Sequence, residues 1–129
     1  MIFDALFARA ADVAETLPST GDLQRDLETL LEEAVVEIST QPRESLLRSL
    51  AARIQTDEST ASEFHDRLLR PQLDVVHTLL RSGGARRVER TAELLLAPVF
   101  YRWFMRLAPM TTQDIASHVR EVLRLAHVP

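Results

Sequence analysis

His65 and Gln72 stand seven residues apart in a run whose other regularly spaced members, Phe64, Leu68, Val75 and Leu79, are apolar. At 3.6 residues per turn, that spacing returns both polar side chains to one helix face. A few polar groups inside an apolar surround are the chemistry of a small-molecule site, in which walls exclude water and polar atoms fix orientation. Phe3, Phe7, Phe64, Leu68, Val76 and Trp103 would supply such walls. The plainer alternative makes His65 a satisfied core or boundary histidine and Trp103 a core residue. Arg102 would either anchor an acidic group on a ligand or pair within the domain. His77 falls at the edge of its helix's apolar face, His118 on the flank of the last helix's stripe, and His127 near the chain end.

Other chemistries lack their residues. The chain has no Cys, which excludes disulfides and thiolate metal sites and fits a reducing cytoplasm. No His-x-x-x-His or carboxylate pairing has metal-ligand spacing. No nucleophile stands beside a base and no acid/base pair is organised, so no catalytic residue, metal or cofactor is expected and the chain does not read as an enzyme. Asp26, Glu28, Glu32, Glu33 and Glu37 are most simply the solvated flanks of a helix. A formal net charge of −4 opposes a chain-wide nucleic-acid surface. No signal peptide is visible, because Asp4 is acidic and no basic segment precedes the apolar start.

The elements that must position these groups are helices throughout. Strict apolar/polar alternation is absent, and 129 residues fit one domain, 1–129, with one core. A first helix over 1–17 carries Ile2, Leu6, Val13 and Leu17, widened by Phe3 and Phe7. After a break at 18–21, a second over about 22–39 has the clearest stripe: Leu23, Leu27, Leu30, Leu31, Ala34, Val35 and Ile38. Ser19 with Asp22 has capping-box spacing. Pro42 suits the first turn of a third helix, with Leu46, Leu47, Leu50, Ala51 and Ile54 as its core face. A fourth runs over about 60–82, with Thr60 and Glu63 at capping-box spacing, a bend at Pro71, and Gly83 and Gly84 as its stop. A last helix over 111–126, capped by Thr111 and Asp114, carries Ile115, Val119, Val122, Leu123 and Ala126. No internal repeat or low-complexity tract interrupts this order.

The fifth helix, about 87–108, contains AELLLAPVFYRWFM at 92–105. It is too short to span a membrane, which takes about 20 apolar residues. It is also apolar nearly all round, so it needs burial nearly all round. Pro98 removes the N–H that the carbonyl of Leu94 would accept, yet VFYRWFM is too apolar for a loop, so a kinked but continuing helix is expected. One flank covers this domain's core, and the other calls for a second subunit. Two such helices from each of two copies would form a four-helix contact around a two-fold axis. Ala97, Tyr101, Phe104, Ile115, Val119 and Val122 are placed near that contact, with His118 at its edge. The opposite assignment turns the helices over and buries Leu95 and Val99 between subunits.

Three stretches stand on these six helices: TGDLQRDLETLL at 20–31, LLRSGGARR at 79–87 and LLLAPVFYRWF at 94–104. In this order they resemble the C-terminal domain of the tetracycline-repressor (TetR/AcrR) family of transcriptional regulators. Ala97 stands where the family pattern usually has glycine, and the turn reads Arg81-Ser82-Gly83-Gly84. The resemblance implies an all-α six-helix bundle, a pocket for a small effector among the first five helices, and a homodimer made by the last two. It also implies regulation of transcription by a longer parent. No short helix pair with a basic recognition helix is present, so DNA binding is expected only through a helix-turn-helix domain outside these residues. A helical adaptor that binds protein partners and no small molecule is the competing class.

Overall fold

The structure is a computed structural model that describes residues 3–16 and 19–128. Ile2 and Leu17 of the first stripe lie outside the described residues, as does the side chain of Val13. The described residues form helices and no strand. Helix α1 is Asp4–Thr16, α2 is Leu23–Ser39 and α3 is Arg43–Ile54. Helix α4 is continuous but composite: an α-helical segment Glu58–Phe64, a π-helical turn His65–Leu69 and a second α-helical segment Arg70–Ser82. Helix α5 is Val88–Phe104 and α6 is Thr112–Leu125.

The π turn follows from Pro71. Proline cannot donate to a carbonyl in the preceding turn, and its ring presses on that turn. The backbone widens just before it, and the Arg70 N–H donates to the carbonyl of His65, five residues back. The bend expected at Pro71 is therefore accommodated as a wider turn. Pro98, by contrast, lies inside an uninterrupted α5.

Two of the three expected caps are built differently. The side chain of Asp57, not Thr60, receives the N–H groups of Ser59 and Thr60 and starts α4 at Glu58, and Thr60 itself is buried. At α2 the Asp22 Oδ1 accepts the N–H of Arg25 at 3.2 Å. In each case the acidic residue nearest the first turn does the capping, since its oxygen reaches an orphan N–H without bending the chain. At α6 the reciprocal box is present as expected: Thr111 Oγ1 accepts from the Asp114 N–H and Asp114 Oδ2 from the Thr111 N–H, both at 3.0 Å.

The chain divides into two compact units, residues 1–17 with 37–75 and residues 18–36 with 76–129. In the first, Phe3, Leu6, Phe7, Leu50 and Leu68 form a buried cluster, with Leu46, Leu47, Ile54 and Phe64 packed against it. Glu37, at the end of α2, pairs with Arg9 at 3.1 Å and with Arg43. In the second unit Leu27, Leu31, Leu80, Ala92, Leu95, Ile115 and Val119 are buried almost completely. The chain stop after α4 is shared between two glycines with different duties. Gly84 has φ +80°, the left-handed conformation that ends a helix. Gly83 has no positive φ; a Cβ there would lie 2.3 Å from Leu23 Cδ2, so it is the absence of a side chain that lets α2 approach.

Candidate functional site

In the first unit the structure brings four of the expected wall residues together. Phe3, Phe7 and Leu68 are buried in one cluster and Phe64 packs on it. The Arg67 guanidinium lies over the Phe7 ring, 4.9 Å from its centroid, and its Nη1 is 2.9 Å from Asp4 Oδ1 and 3.4 Å from Glu63 Oε2. Arg67 thus closes the cluster on its solvent side by cation–π and ionic contact. The two polar members part company. The His65 side chain is 57% exposed, with Nδ1 3.5 Å from Asp66 Oδ1, while Gln72 is half-buried. The π turn between them is the reason. Residues of a π turn advance less around the helix axis than α-helical ones, so a seven-residue spacing no longer closes on one face. Val76, fully buried, and Trp103, half-buried, belong to the second unit.

In the second unit α5 and α6 run antiparallel. Arg86 N–H donates to the carbonyl of Ala126 at 3.1 Å at one end. Arg102 Nη1 lies 3.5 Å from Asp114 Oδ2 at the other. Arg102 is therefore engaged inside the chain. The face of α6 assigned to a subunit contact is spent here too: Ile115, Val119 and Val122 are 1%, 0% and 4% exposed. Leu95 and Val99 are likewise buried. Periodicity identified these as apolar positions that must be covered, and the covering is supplied by their own unit. Of the positions assigned to a subunit contact, those left bare are on α5. Ala97, Phe100, Tyr101 and Phe104, spaced i, i+3, i+4 and i+7, are all exposed, Tyr101 by 59% and Phe104 by 65%. Met105 and Leu107, just past the helix end, are also exposed. A helical stripe with that spacing ordinarily faces a core.

His118, expected at the edge of a subunit contact, is half-buried and bonded to α5. Its Nε2 lies 3.0 Å from the carbonyl oxygen of Leu94 and 3.1 Å from that of Leu95. Carbonyls only accept, so the imidazole donates through Nε2–H. Among the described residues no three His, Asp or Glu side chains converge as a cation site, and no helix is long and apolar enough to cross a membrane.

A tetracyclin repressor-like C-terminal domain matches residues 17–122, most of the chain. The chain belongs to that family. No curated protein and no solved structure matched.

Within this tetracyclin repressor-like domain, the Thr-Gly-Asp-Leu-x-x-Asp-Leu stretch acquires a physical meaning. Asp26, read from sequence as part of a solvated flank, is 3% exposed. Its Oδ2 accepts the Thr20 N–H at 2.9 Å and its Oδ1 the Thr20 hydroxyl at 2.7 Å. Burial of a carboxylate is tolerable because both oxygens are paired, and the bond pins the chain entering α2. Asp57 and Asp114 have carboxyls held below the usual carboxylate value. For Asp57 the first cause is the Thr60 N–H, and for Asp114 the Thr111 N–H. Phe100, Met105 and Leu107 are not among the positions that the sequence assigns to a subunit contact. Their signal was present in the length of the apolar run, which exceeds what one flank of one helix can bury.

Proposed function

We propose that this domain is the effector-sensing and dimerisation part of a TetR-like transcriptional regulator. Family membership supports the class. The observation that carries the dimer is the bare stripe Ala97, Phe100, Tyr101 and Phe104 on α5. Aromatic residues present about 150–250 Å2 each. With Met105 and Leu107, the exposed parts of these side chains approach the ~500 Å2 per partner that a stable contact needs. A second copy laid on the same stripe through a two-fold axis covers both at once. The contact proposed here therefore uses Ala97, Tyr101 and Phe104 and leaves Ile115, Val119 and Val122 to the internal core.

The effector is a small, mainly apolar molecule held by the first unit. Phe3, Phe7, Phe64 and Leu68 offer an apolar wall, Gln72 a half-buried polar group, and His65 a polar rim. Its binding would bias a DNA-binding part of the parent protein. A thermal-shift screen of apolar and amphipathic compounds tests the sensor reading. A ligand at 100 times its dissociation constant stabilises the fold by about 2.7 kcal/mol. A positive shift reduced by Gln72→Leu or Phe64→Ala supports the site, and a broad library without a single shift contradicts it.

A further inference from the structure

Pro98 leaves a gap in the hydrogen-bond ladder of α5. The carbonyl of Leu94, four residues back, has no N–H to receive. Yet α5 stays helical for another turn and more, to Phe104. The carbonyl is not left to chance: His118 Nε2 reaches it at 3.0 Å, and the neighbouring Leu95 carbonyl at 3.1 Å. His118 can do so because Ile115, Val119 and Val122 on the same helix are buried and hold α6 against its unit. The Arg102–Asp114 and Arg86–Ala126 contacts fix the pairing at both ends.

We infer that His118 is a positioning residue, an external donor that replaces the N–H missing at Pro98 and so fixes the direction of the last turns of α5. Those turns carry Phe100, Tyr101 and Phe104. A helix with an unfilled carbonyl at a proline would swing or fray beyond it. One imidazole bonded to two successive carbonyls couples the bare stripe to α6, so that the two helices move as one piece. The importance of this for assembly rests on the dimer reading above; the bond's effect on α5 does not.

The test is amide hydrogen exchange at Val99 to Phe104, compared with the amides of Thr91 to Leu95 in the same helix. His118→Leu removes the donor while keeping apolar bulk. It is expected to speed exchange after Pro98 by about tenfold or more, with a smaller change before it. Pro98→Ala restores the missing N–H, so the double variant is expected to return to within roughly threefold of wild type. A folded His118→Leu with unchanged exchange, or a double variant without rescue, overturns the inference. Wild-type protein gives a second readout that needs no variant. Nitrogen NMR is expected to show a proton on His118 Nε2, the atom that faces the two carbonyls; an Nε2 without a proton overturns the inference. Light scattering on the same samples keeps the readings apart: a monomeric wild type with the exchange pattern intact removes the dimer and leaves the His118 role standing.

Discussion

At the scale of single residues, capping side chains set where helices begin. Thr111 and Asp114 bond reciprocally at the start of α6. Removing a capping hydroxyl costs about 1 kcal/mol. Thr111→Ala should therefore lower stability by about that amount in urea denaturation, with an unchanged slope. The acidic partners predict a pH dependence. Asp57 and Asp114 are lowered from 3.8 in the folded chain. A depressed carboxyl contributes stability that is present above its ordinary value and lost as pH falls through its folded value. Acid titration should then weaken the fold below about pH 4, the ordinary carboxylate range. Asp57→Asn together with Asp114→Asn should flatten that limb of the curve. An unchanged acid limb in the double variant would show that these two groups do not drive it.

At the scale of elements, close approach and register decide what sequence patterns leave open. Gly83 admits Leu23, whose Cδ2 would lie 2.3 Å from an added Cβ. Overpacking of this kind costs roughly 1–3 kcal/mol. Gly83→Ala should destabilise within that range, and Leu23→Ala in the same chain should recover part of the loss in a double-mutant cycle. Strictly additive effects would mean the turn shifts aside. Gly84→Ala should cost about 1–2 kcal/mol for a different reason, its left-handed φ of +80°.

The same scale shows how far the sequence could be read. The helix order, the continuation of α5 past Pro98 and the α6 capping box were legible because each depends on residues within a turn or two. The cap at Thr60 was misplaced because Asp57, three residues earlier, offers a better acceptor in the same polar stretch. Pro71 signals a bend but not its form as a π turn over His65–Leu69, and a regular α-helical step across that turn puts His65 and Gln72 on one face. For α6, periodicity identified Ile115, Val119 and Val122 as needing cover without saying what covers them. The gap at Leu94 could be read from Pro98, but its donor lies 24 residues away.

At the scale of the whole molecule, an acidic chain with a bare aromatic stripe predicts association with itself rather than with DNA. The net charge of −4 opposes phosphate contact. A gel-shift titration of this domain alone should show no sequence-selective, salt-sensitive binding, and tight selective binding would contradict the assignment. The central claim is that the α5 stripe joins two copies. Val119 is a poor probe of it, because it is 0% exposed within its own unit and a charge there would unfold the chain rather than separate two chains. Tyr101 and Phe104 are the discriminating positions. Light scattering at tens of micromolar protein should give a dimer for the wild type. It should give a folded monomer for Tyr101→Glu with Phe104→Glu, because an interface cannot bury two unpaired charges. A monomeric wild type, or a dimer that survives both substitutions with its helicity intact, would contradict the account.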